Sequence, residues 1–126
     1  MALPRLRREA RDALAVYGYL LLSAQQLEKA HAVFKGMRVL FPDDAHVTRS
    51  LAVTSLATGD AAAALALADE AQAKATDEDP ALDAVRGKAL FALGRAEEAR
   101  AALGRSLARR AAPRPSGNPA DNGKAT

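Results

Sequence analysis

The stretch YGYLLLSAQQLEKAHAVF, residues 17 to 34, decides how this chain is read. It packs apolar residues densely, breaks at two glutamines, and resumes with a charged pair and an alanine. Three structures accommodate that pattern: the apolar region of a secretory signal, a single amphipathic helix, or two helices joined by a tight turn.

The signal reading has Arg5, Arg7, Arg8 and Arg11 as a basic leader, an apolar region from Ala13 to Leu22, and small Ser23 and Ala24 near a cleavage point. Glu9 and Asp12 interrupt that leader. The apolar run is also shorter than the ~18–20 residues of a membrane span, so no direct membrane insertion is expected.

Self-similarity chooses among the three. LAVTSLATGDAAAALALA begins at Leu51, 34 residues after Tyr17, and RGKALFALGRAEEARAAL begins at Arg86, 35 further on. Small residues coincide at Gly18, Ala52 and Gly87, and alanine recurs at Ala30, Ala64 and Ala99. A turn falls at Gln25–Gln26, Gly59–Asp60 and Gly94–Arg95. Two antiparallel helices approach closely only where side chains are small, so Gly18 is expected against Ala30, with larger groups such as Tyr17, Leu21 and Phe34 on either side. Glycine suits a helix-ending residue in the left-handed region. Asp60 caps the next helix, the DDA after Pro42 caps a third, and Asp79–Pro80 reads as a cap followed by proline at the first helical position. Residues 17 to 34 thus span a helix end, a turn at Ala24–Gln26 and the start of a partner helix.

Composition agrees. Alanine supplies 32 of 126 residues, with three Phe, two Tyr and no Trp, so the core must be Leu, Val and Ala and the fold class all-α. The absence of cysteine removes disulfide, thiol and Cys-ligated metal chemistry and fits a reducing cytoplasm. Thirteen Arg against five Lys beside so much Ala suggests a GC-rich bacterial gene. We expect a loosely ordered segment at 1–10, a domain at 11–112 built from units of about 11–43, 44–78 and 79–111, and a disordered tail at 113–126, where PRPSGNPADNGKAT lacks apolar periodicity. In the third unit Asp83 and Arg86 stand where the first unit has Leu14 and Tyr17, so Leu82, Val85 and Leu90 would have to compensate.

No catalytic constellation appears, so no enzyme, metal or cofactor is expected. His31 and His46 lack a metal-ligand spacing, and His31 reads as solvent-facing. Arg100, Arg105, Arg109 and Arg110 sit around a helix end, where cations complement the dipole, and no aromatic residues interleave them for base stacking; no nucleic acid is expected.

The period, the small residues at the crossing and the Pro42 terminator resemble the tetratricopeptide repeat (TPR). The resemblance covers about residues 11–110 and implies three antiparallel helix pairs in a short right-handed solenoid. It also implies a concave groove lined by the first helix of each pair: Ala15, Tyr19 and Leu22; His46, Arg49, Val53 and Leu56; Ala84, Lys88 and Phe91. Tyr19, Leu22, Val53, Leu56 and Phe91 would form an apolar strip suited to an apolar helical or extended segment, unless curvature or a neighbouring helix buries it. More narrowly, the size and the opening VYGYLLLSAQQLEKA resemble cytoplasmic type III secretion chaperones of the YscY (SctY) type. That implies a small secretion-apparatus or export-substrate protein as partner, and engagement of the export gate at the inner membrane. The needle-subunit co-chaperones and translocator chaperones share this architecture. The alternative is a TPR adaptor of another envelope or pilus assembly complex.

Overall fold

Gln25, Gly59 and Gly94 all adopt positive φ, at 60°, 94° and 81°. Each stands just past a helix end in the computed structural model, which describes residues 2–111. The helices are α1 (Ala2–Ser23), α2 (Leu27–Leu40), α3 (Ala45–Ala57), α4 (Ala61–Lys74), α5 (Pro80–Ala92) and α6 (Ala96–Ala111). No strand occurs among the described residues.

The turns at 24–26, 58–60 and 93–95 share one hydrogen-bond pattern. The N–H of the left-handed residue donates to a carbonyl three residues back (Gln25 to Leu22, Gly59 to Leu56, Gly94 to Phe91). The next N–H donates five back (Gln26 to Leu21, Asp60 to Ser55, Arg95 to Leu90). This is the Schellman arrangement, which satisfies carbonyls that the helix end leaves open. It recurs at the 34- and 35-residue spacing seen in the sequence.

Consecutive helices pack in chain order, and α3 also reaches α5. Ala30, Ala64 and Ala99 are all buried at the crossings. The partner of Gly18 is larger than the expected Ala30: a Cβ there would lie 2.5 Å from Cζ of Phe34. At Gly87 the intruder is Leu103, whose Cγ would be 2.5 Å away. Tyr17 does not fill this space, because it projects to solvent. Phe34, Met37, Val47 and Leu51 form one apolar cluster, and the alanines of α4 with Leu82, Val85 and Ala89 form a second. Leu67 touches both clusters, while Leu65 joins the second to Leu90, Ala99 and Ala102. Leu82, Val85 and Leu90 thus supply the third unit's core, and Asp83 is buried but bonded by Arg109 of α6.

Successive hairpins are tied by a repeated polar device. Asp44 uses Oδ1 to cap α3, accepting from the N–H of His46 (2.9 Å) and Val47 (3.2 Å), while its Oδ2 accepts from Arg11 of α1 at 2.9 Å. Asp79 caps α5 through the Ala81 N–H (2.9 Å) and accepts from Arg49 of α3 at 2.7 Å. Arg38 of α2 grips Glu70 of α4 through both terminal nitrogens and also donates to Thr48. Every buried side-chain polar atom among the described residues has a partner, as desolvation demands.

Residues 2–10, expected as a loosely ordered segment, are helical and exposed, and α1 begins at Ala2. Pro4 is tolerated in a first turn, where its missing N–H has no intrahelical partner. Arg7 fastens the segment by donating to the Leu40 carbonyl and lying 4.9 Å from the Phe41 ring centre. The tail expected at 113–126 lies outside the described residues.

Candidate protein-binding surface

A cleft of about 260 Å³ opens between α1 and α3, floored by Phe34 and Met37 of α2. Ala15 and Tyr19 form one wall and His46, Val47 and Ser50 the other. Tyr19 sits with its ring tilted 56° to Phe34, centroids 5.5 Å apart, and its hydroxyl lies 2.8 Å from Ser50 Oγ. The phenol therefore spans the cleft with its polar end satisfied, leaving 45% of the residue open to a ligand. Arg11, Asp12 and Asp44 close one end. Burial raises the Asp44 pKa, but the Val47 N–H, Arg11 and the His46 N–H together hold it below the usual carboxylate range, so the end of the cleft is an ion pair.

A second hollow, about 490 Å³, lies between the start of α3, the end of α4 and the start of α5. His46 lines both hollows and forms the ridge between them. Arg49 lines the second and is committed to Asp79. Burial also raises the Asp79 pKa; Arg49 and the Ala81 N–H more than offset this and hold it low.

The structure divides the ten residues of the groove reading into three groups. Ala15, Tyr19 and His46 meet in the first cleft, and Arg49 joins His46 in the second. Leu22, Val53 and Leu56 are half-buried and pack against the apolar clusters, so they are shared between surface and core. A charge at Leu56 would therefore disturb packing as well as any groove. Ala84 is half-buried, whereas Lys88 and Phe91 stand exposed on α5, Phe91 at 70%.

Phe34, Met37 and Ser50 also line the cleft. Phe34 and Met37 are visible in the sequence as a helix-spaced apolar pair, but as core. No sequence signal joins Ser50 to Tyr19 across 31 residues. His31 does not face solvent: it is half-buried, with Nδ1 2.9 Å from Thr54 Oγ1. Among the described residues no group of three or more His, Cys, Asp or Glu could hold a metal, and no helix is long and apolar enough to cross a membrane. Much of the basic C-terminal cluster is neutralised internally: Arg100 pairs with Glu97, Arg105 lies 3.9 Å from Asp83, and Arg109 pairs with Asp83 and Glu78.

No protein-family model and no curated protein matches this sequence.

Proposed function

We propose that this protein is a TPR-like array whose first-helix face binds an apolar helical segment of a partner protein. The observation that carries this is the cleft over Phe34 and Met37, bridged by a half-exposed Tyr19 whose hydroxyl is already satisfied. A ligand meets there an aromatic face whose hydroxyl already has a partner, which suits an apolar side chain of a helix. Phe91 extends the same reading to α5. In this proposal the partner is a small export component of a bacterial type III secretion system, sequestered in the cytoplasm and handed to the export gate. Its support is the VYGYLLLSAQQLEKA entry into the first hairpin.

The adaptor reading draws on a different observation. The ties Arg11–Asp44, Arg49–Asp79 and Arg38–Glu70 join the hairpins from within the chain, and an adaptor is expected to be stable alone. A chaperone of the secretion type would gain stability from its cargo by mass action.

One experiment tests both. Tagged protein is purified from its native cell, alongside Tyr19→Ala and Phe91→Glu variants of equal helical content by circular dichroism. A small secretion protein in near-equal yield, lost in the variants, supports the chaperone proposal. Envelope assembly proteins lost in the variants support the adaptor. Capture that the variants leave unchanged rejects the cleft.

A further inference from the structure

The outer side of α1 carries a pattern that the fold does not use. Leu3, Leu6, Ala10, Ala13, Tyr17 and Leu20 follow one another at spacings of 3, 4, 3, 4 and 3. That is the heptad seam of a helix made to pack along another helix. All six are exposed, and the four large ones strongly so: Leu3 79%, Leu6 57%, Tyr17 52% and Leu20 63%. The face that α1 gives to its own hairpin is a different one, centred on Gly18 with Leu14, Ala15 and Leu22. The cleft residue Tyr19 is not part of the seam.

We propose that this seam pairs with the same seam of a second copy, antiparallel, making a homodimer through α1. The order of side-chain sizes is palindromic: large, large, small, small, large, large. Laid antiparallel on itself, the seam sets Leu3 opposite Leu20, Leu6 opposite Tyr17 and Ala10 opposite Ala13, so each layer joins an a position to a d position, as antiparallel coils require. The central alanines let the backbones approach, and the bulky residues close both ends.

Charge selects the same orientation. All six charged residues of α1 lie in its first half: Arg5, Arg7, Arg8, Glu9, Arg11 and Asp12. From Ala13 to Ser23 there is none. Parallel pairing would bring the arginine-rich halves together, whereas antiparallel pairing lays each against the partner's uncharged half and opposes the helix dipoles.

With Val16 on its flank, the seam offers on the order of 500 Å² of apolar surface per copy, a large patch for a monomer but short of the ~800 Å² per partner of a standard interface. Self-association is therefore expected in the micromolar range.

The test is sedimentation equilibrium of the full chain from about 1 to 200 µM, a range that brackets micromolar dissociation. We expect a monomer–dimer equilibrium, weakened at least tenfold by Leu20→Glu with helical content unchanged. Orientation is read by crosslinking, for which the chain has no native cysteine to interfere. With a short bis-thiol reagent, Leu6→Cys mixed with Tyr17→Cys should crosslink, and neither variant alone should. A monomer throughout that range, a dimer indifferent to Leu20→Glu, or single variants that crosslink to themselves would each overturn the proposal. The wild-type mass and the crosslinking decide even if Leu20→Glu proves unstable.

Discussion

The first and second hairpins cross at equivalent positions but fill the crossing differently. In the first, α1 contributes Gly18 and α2 fills the gap with the ring of Phe34. In the second, α3 and α4 meet through Ala52, Ala64 and Ala68, all fully buried. The third returns to the first design, with Gly87 beneath Leu103. What repeats along this chain is a small residue on the first helix of each crossing, while the residue at the facing position ranges from Ala68 through Leu103 to Phe34. In a close-packed interior the smaller facing residue of the second hairpin leaves its space to closer backbones or to other side chains.

Removing the large member should have the greatest effect. Phe34→Ala empties a fully buried site at the base of the α1–α3 cleft and is expected to cost about 3–5 kcal/mol in urea unfolding, with loss of the cleft. Leu103→Ala, at the half-buried equivalent, should cost clearly less. A smaller loss at Phe34 than at Leu103 would show that the aromatic crossing is not the stronger one.

Enlarging the small member comes next. Gly18→Ala improves helix propensity yet drives a methyl into Phe34, for an expected net loss of about 1–3 kcal/mol. Gly36→Ala in α2, with nothing within 4 Å of the new methyl, should instead gain about 0.5–1 kcal/mol. Opposite signs for one substitution in one hairpin isolate the crossing from propensity. In a Phe34→Leu background the Gly18→Ala penalty should shrink, since contacting residues do not add.

The turns permit a subtler comparison. Gln25 holds at φ 60° what Gly59 and Gly94 hold without a side chain. Gln25→Gly should raise stability by about 0.5–1 kcal/mol, because a non-glycine residue in that region is strained by ~1–2 kcal/mol while glycine costs more unfolded-chain entropy. Gly59→Ala should lower stability by a similar amount. Both are read from thermal midpoints.

The smallest effect concerns the tie between hairpins one and two. Hydrogen bonding from Arg38 is the largest influence on Glu70; with help from Lys74 it outweighs desolvation and brings the carboxyl from 4.5 to about 2. A folded pKa below the unfolded one stabilises above the unfolded value, and that stability is lost as pH falls through the folded value. The melting temperature should therefore drop between pH 4.5 and about 2, and Glu70→Gln should flatten that part of the profile. Asp44 and Asp79, also lowered, contribute with the same sign. Glu70 is about a third exposed, so salt should reduce its share.

Much of the fold was legible because its determinants are local. A left-handed residue after a helix, an aspartate before one and an alanine at a fixed offset act within about five residues of themselves, and the sequence displays them at matching positions. Asp44, Asp60 and Asp79 cap as their neighbours predict. The candidate site was legible only in part. Periodicity places Tyr19, His46 and Phe91 on the outer arc of their helices, but the same count placed Leu56 and Val53 there, and these lean on the alanine cluster.

The sequence by itself determined six helices, their turns and caps, and the small residues at the crossings, because each follows from backbone geometry over one or two turns. Only the tertiary structure decided that Tyr19 reaches Ser50, that His31 meets Thr54, that Asp83 is held by Arg109, and that the Leu3-to-Leu20 seam of α1 stays uncovered. A helix fixes the angle of each side chain about its own axis. The neighbour met at that angle depends on how whole helices rotate to fill a shared volume, and no local spacing encodes that rotation.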